Sequence, residues 1–157
     1  MTEKQFNIKY QEFASIDELN AEDRELAHAA IEGMQGSYAP YSHFNVGAAV
    51  RMTNGQIVRG ANQENAAFPS GICAERTAMF AASAKYPDKE MVSLALAGGV
   101  YGRITDEPAT PCGACRQVMA QYQTRSGKPM SIIMVGAKKV WKFERVDDIL
   151  PLIFDSI

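Results

Sequence analysis

Apolar positions along the chain recur at helical spacing in one stretch and cluster in strand-length segments in others. Leu26, Ala27, Ala30, Ile31 and Met34 fall three or four residues apart with charged residues between them, the spacing of a helix with one buried face. Ser15-Ile16-Asp17-Glu18 has the form of a capping box, and Asn20 with Asp23 offers a second start, so the helix has two candidate origins. It ends at Gly36-Ser37-Tyr38-Ala39-Pro40, because Pro40 pushes Ala39 out of the α region. Segments 46–52 and 56–60 read as strands, and Thr53-Asn54-Gly55 between them predicts an antiparallel hairpin, since Asn-Gly accepts the positive φ of a tight turn. The Ala-rich segment 73–86 predicts a helix stopped at Pro87, and 91–97 an apolar strand. Segment 111–123 predicts a third helix with Pro111 in its first turn. Two strands follow at 131–136 and 140–146, then a short closing helix at 147–154 interrupted by Pro151. This order predicts an α/β fold, a mixed five-stranded sheet covered by helices.

The 157 residues suffice for one domain with a real core, and no repeat, linker or low-complexity tract divides them. The whole of 1–157 is therefore read as one unit, with 1–14 as an N-terminal extension. Hydrophobic residues make up 46% and charged residues 22%, an ordinary folded composition. The net charge of −2 provides no basic surplus for a nucleic-acid backbone. The first ten residues, MTEKQFNIKY, lack the apolar stretch of a signal peptide, and the apolar run at 132–136 is only strand length. The expectation is a cytoplasmic protein with no membrane partner.

That compartment bears on the cysteines, which number three and cannot all pair internally. Cys112-Gly113-Ala114-Cys115 is a C-x-x-C motif, with Cys73 well upstream. A thioredoxin-type pair leaves Cys73 unexplained, whereas a structural zinc site closes with four ligands. Only His28 and His43 could supply a fourth. His28 sits inside the first predicted helix and His43 in the loop before the first strand, where it could complete a closed site. The alternative is three thiolates with an open fourth position, which suits catalysis because a metal there lowers the pKa of water. Cys73 and Cys112 stand at predicted helix starts, where unpaired N–H groups favour a thiolate. Arg76 and Arg116 are candidates for hydrogen bonding the sulfurs, against the alternative of surface ion pairs. Glu75, two residues after Cys73, is placed to reach water at the metal without occupying it, as a proton shuttle must.

Cys73-Ala74-Glu75 followed by Pro111-Cys112-Gly113-Ala114-Cys115 has the zinc-deaminase form. With YAPYSHFNVGAA, RGANQENAAF, CAERTAMF and PCGACRQVM in that order, the chain resembles the small homotetrameric cytidine deaminases from about Tyr38 onward. The resemblance implies a three-layer α-β-α domain, Zn2+ held by Cys73, Cys112 and Cys115, and Glu75 as the shuttle. It implies that Asn62 and Glu64 bind the ribose hydroxyls, that Phe44 lines the pocket, and that peptide groups near Ala74 hold the base edge. Phe154 resembles an aromatic that stacks on the base across a subunit contact, and a homotetramer is the implied assembly. Phe68 stands where a tyrosine is common, and segment 85–110 is longer than the usual connection, with Tyr101-Gly102-Arg103 in a loop.

The function so implied is hydrolysis of cytidine and deoxycytidine to the uridines and ammonia. Two alternatives stand beside it: a deaminase of a cytosine-bearing antibiotic of the blasticidin type, and a non-catalytic zinc module closed by His43.

Overall fold

The computed structural model describes residues 1–155. Six strands form one sheet: β1 (Gln11–Phe13), β2 (Phe44–Met52), β3 (Ile57–Ala61), β4 (Met91–Val100), β5 (Ser131–Val135) and β6 (Val140–Phe143). Their spatial order is β1-β6-β5-β4-β2-β3. Every neighbouring pair is antiparallel except β4 and β5, which run parallel because the connection between them carries a helix.

Three helices cover the two faces: α1 (Ala21–Gly33), α2 (Ala74–Lys85) and α3 (Gly113–Ser126). Strand alternation sorts the core. Ala49, Ala95, Ala97, Ile133 and Val135 face α1 and pack with Leu26, Ala27 and Ala30. Their sequence neighbours Ala48, Val50, Leu94, Leu96, Ile132 and Met134 face the other way and pack with Met79 of α2 and Met119 of α3. Full burial of each such Leu, Ile or Met contributes roughly 1.5–3 kcal/mol.

The helices approach the sheet closely where it carries glycine. A Cβ at Gly47 would overlap the carbonyl of Ala30 and the amide of Met34, so α1 sits against bare β2 backbone. A Cβ at Gly60 would lie 2.6 Å from the carbonyl oxygen of Ala74 and 2.8 Å from Cα of Ala78, which fixes α2 against β3. The partly buried ion pair of Lys142 with Asp23, 2.7 Å, ties β6 to the first turn of α1.

Several expectations are corrected. The sheet has six strands, not five, because Gln11–Phe13 of the N-terminal extension pairs with β6. No helix forms at 147–154: one turn at Val146–Asp148 is followed by irregular chain, since Pro151 removes the next amide donor. Of the two candidate origins, Asn20 caps α1 by accepting from the amide of Asp23 at 2.9 Å, while Ser15 caps only a separate single turn. Among the described residues no helix is long and apolar enough to cross a membrane.

Overpacking against backbone costs about 1–3 kcal/mol, and at Gly60 the clashing atoms belong to the helix that follows Cys73. Gly60→Ala is expected to lower the denaturant midpoint and to weaken metal retention together, read by urea titration and elemental analysis.

Candidate active site

The N-termini of α2 and α3 meet at the end of the sheet where β2 begins, β3 ends and β4 ends, as the register Gly47↔Ala61 and Phe44↔Val100 requires. Cys73 is the residue before α2 and Cys112 the residue before α3, both extended, and neither side chain caps its own helix. Cys115 lies in the first turn of α3 and is fully buried. The three sulfurs all lie within 4.8 Å of one another, and those of Cys73 and Cys112 are 3.8 Å apart.

The electrostatics suit one anionic centre. Without a metal, the hydrogen bond from Cys115 and then Arg76 bring the Cys73 thiol down to about 5 against the opposing effect of burial. The same hydrogen bond holds the proton on Cys115 and pushes its thiol up. Arg76 donates through Nη2 to the Cys73 sulfur at 3.6 Å, and its buried Nε has no partner. Arg116 does not turn to the sulfurs. It donates to the carbonyls of Pro111 at 2.8 Å and Ile149 at 3.0 Å, anchoring the chain on either side of α3.

Glu75 is 4% exposed. Burial raises its pKa above the ordinary carboxylate range, and the charge on Cys73 pushes the same way. A carboxyl tuned upward holds a proton more readily than an ordinary one, as a proton shuttle must.

Cys73, Cys112, Glu75 and Arg76 line a cavity of about 670 Å3, within the size range of small-molecule sites. The other walls include Phe44, Asn62, Glu64 and Phe68, with Leu96 of the sheet beneath. Asn62 is held firmly: its carbonyl oxygen accepts from the amide of Val46 at 2.8 Å and from the Ser37 hydroxyl, and its Nδ2 donates to the carbonyl of Phe44 at 2.8 Å. One Nδ2 hydrogen remains for a ligand. The Glu64 carboxylate accepts from the amides of Tyr41 at 2.9 Å and Ser42 at 3.2 Å and from the Ser42 hydroxyl, which keep its pKa low, the hydroxyl contributing most.

Phe154 does not join this cavity. It is 68% exposed, and its carbonyl accepts from Nε2 of Gln117 at 2.6 Å. His43 also lies outside the cysteine group, with its ring stacked on Tyr101 at a centroid distance of 4.9 Å. Tyr41 and Ser42 were not singled out from the sequence as site residues, although both belong to the YAPYSHF block. Only the folded loop reveals that their amides face Glu64.

Residues 20–128 match the model of the cytidine and deoxycytidylate deaminase zinc-binding region. The chain belongs to this deaminase family. It is 46% identical over 96 residues to a cytidine deaminase of Halalkalibacterium halodurans, covering 61% of this chain and 68% of that relative. A Sporosarcina psychrophila cytidine deaminase is 38% identical over 107 residues, covering 68% of this chain and 69% of the relative. The crystal structure of a cytidine deaminase from Burkholderia pseudomallei superposes with a TM-score of 0.71 at 36% identity, covering 83% of this chain and 97% of the other.

Zinc fits the deaminase site on geometric grounds. A tetrahedral ion with metal–sulfur bonds of about 2.3 Å sets its sulfurs about 3.8 Å apart, which is the 3.8 Å between Cys73 and Cys112. Among the described residues the group contains three cysteines and no histidine, so a tetrahedral ion held there would have one position not taken by the protein. Cys73→Ser, Cys112→Ser and Cys115→Ser are each expected to lower the zinc content well below one per chain, and His43→Ala to leave it unchanged, by elemental analysis after gel filtration.

Proposed function

We propose that this deaminase hydrolyses cytidine and deoxycytidine to the corresponding uridines with release of ammonia. The observation that carries the proposal is the buried carboxyl of Glu75 beside three convergent sulfurs, in a cavity whose opposite wall carries an amide donor and a carboxylate acceptor. The cytidine deaminases of H. halodurans and B. pseudomallei support the choice of substrate. A free nucleoside also agrees with the net charge of −2.

Zinc on Cys73, Cys112 and Cys115 supplies the Lewis acidity that makes water a nucleophile at neutral pH. Glu75 takes the proton from the attacking water and delivers it to N3 of the ring; it then takes the proton of the new C4 hydroxyl and passes it to the amine, so that the C4–N bond breaks as the C4 carbonyl forms and ammonia departs. Its burial keeps the carboxyl basic enough for the first transfer and acidic enough for the last. Arg76 offsets thiolate charge through its bond to Cys73. The start of α2 at Ala74 presents peptide groups to the base edge, and Phe44 provides an apolar wall. Asn62 donates to, and Glu64 accepts from, the sugar hydroxyls. That pairing favours a nucleoside over an antibiotic lacking such a diol.

The same reading extends to assembly. In a homotetramer, Phe154 of one subunit would reach the base in a neighbour's cavity, and its exposure outside its own cavity agrees with such a role. Phe154→Ala is then expected to raise KM for cytidine in the assembled protein, with the assembly state followed by sedimentation.

General acid and base transfer is worth about 10²–10⁴ in rate, so Glu75→Gln is expected to lose at least that much kcat while retaining zinc and its melting temperature. Near-normal turnover by Glu75→Gln contradicts the mechanism.

A further inference from the structure

Two non-glycine residues with a left-handed backbone touch each other here. His43 has φ 57° and Tyr101 has φ 52°. Non-glycine residues seldom take this conformation, a bulky Tyr less readily than a His, so the surrounding structure must hold the turn at Tyr101 in place. Their rings stack at 4.9 Å with an interplanar angle of 19°, and the Tyr101 amide donates to the His43 carbonyl at 2.8 Å.

The Tyr101 side of this contact is rigidly founded. Tyr101 and Gly102 form a tight turn closed by the Arg103 amide on the Val100 carbonyl at 3.1 Å, and the Gly102 amide donates to Asn45 Oδ1 at 2.9 Å. The chain then folds back against bare backbone. A Cβ at Gly99 would overlap the Arg103 carbonyl, and one at Gly136 would lie 2.6 Å from the carbonyl oxygen of Asp106. The amides of Ala137 and Lys138 donate to the carbonyls of Thr105 at 2.8 Å and Asp106 at 3.1 Å, fastening the segment to the turn between β5 and β6.

The His43 side leads into the cavity. His43 lies between Ser42 and Phe44, both of which line it, and the amides of Tyr41 and Ser42 with the Ser42 hydroxyl hold the Glu64 carboxylate. Any rotation at His43 moves those donors. We propose that Tyr101 and His43 are positioning residues for Glu64, and that segment 101–108, none of which lines the cavity, sets how tightly the enzyme grips the nucleoside's sugar without touching the reacting base. The proposal rests on Glu64 as the sugar acceptor in the reading above. Its contribution is that affinity for the sugar is controlled from outside the cavity, by a segment distinct from the metal-bearing helices.

The test compares Tyr101→Gly, which suits the left-handed turn but removes the ring, with Tyr101→Phe, which keeps the ring. For Tyr101→Gly, KM for cytidine is expected to rise about tenfold with kcat within about twofold, the pattern of lost uniform binding. KM for dideoxycytidine, whose sugar ring carries neither hydroxyl, should not move, and Tyr101→Phe should behave as the parent. An unchanged KM for cytidine in Tyr101→Gly overturns the proposal. So does an equal rise for both nucleosides, or a Tyr101→Phe enzyme as impaired as Tyr101→Gly.

A carbon-13 titration of the Glu64 carboxyl decides the point independently of turnover. The Ser42 hydroxyl, the two amides and the nearby His43 charge hold its pKa low. The midpoint should rise toward the ordinary carboxylate value in Tyr101→Gly and stay low in Tyr101→Phe, and a midpoint that stays put in Tyr101→Gly overturns the clamp. Absence of cytidine turnover in the parent protein would instead count against the substrate assignment alone.

Discussion

Two helices begin at the same point in space, and the chemistry of the chain depends on that convergence. The unpaired N–H groups and positive dipole ends of α2 and α3 face Cys73, Cys112 and Cys115, where three thiolates must coexist within a few ångströms. Three negative sulfurs so close would repel one another in water. Helix termini, the Arg76 guanidinium and a divalent cation together make the arrangement stable. Burial beside this centre raises the Glu75 carboxyl, and the charge on Cys73 adds to the rise, so one buried place sets both the metal group and the neighbouring carboxyl.

Holding two helix termini in register requires the sheet to fix their distance, and small residues do so. Gly60 lets α2 lie on β3 backbone, and the larger side chains Leu94, Leu96, Ile132 and Met134 fill the space beneath α2 and α3. On the opposite face, Gly47 and a run of alanines bring α1 close, so the sheet is clamped between layers. Beyond the sheet's end, a second constraint operates in the left-handed pair His43 and Tyr101, each costing roughly 1–2 kcal/mol in that backbone conformation. Strain of this size next to a cavity wall agrees with a loop held in place for binding.

Much of this was legible in the residues themselves. The Cys-x-Glu and Pro-Cys-x-x-Cys spacing pointed to the metal group, Asn54-Gly55 to the hairpin, and apolar segments of strand length to β4 and β5. The misses have a common cause, tertiary contact overriding local pattern. Strand β1 is three residues long and too short to show alternation; it exists because β6 has an open edge and Glu12 accepts from Trp141 Nε1 at 2.8 Å. The expected closing helix is cut to one turn, in which the amides of Ile149 and Leu150 both donate to the Val146 carbonyl at 3.0 Å, and beyond it Ile153 packs onto the core from irregular chain. Arg116 sits one residue past a cysteine, as a sulfur partner would, but carbonyls of the flanking chain lie closer. Ser42 and the amide of Tyr41 carry no sequence signal for holding Glu64, because donors from a loop backbone become aligned only when the loop is folded.

The central claim is that three cysteines and one buried glutamate make an open metal site that deaminates a cytosine nucleoside. Its most direct test is to incubate purified chain carrying one zinc per subunit with cytidine and to quantify ammonia and uridine together. Equimolar ammonia and uridine, abolished by a chelator that strips the zinc and restored by adding it back, is the predicted result. Zinc-loaded, folded protein that releases no ammonia from cytidine would contradict it.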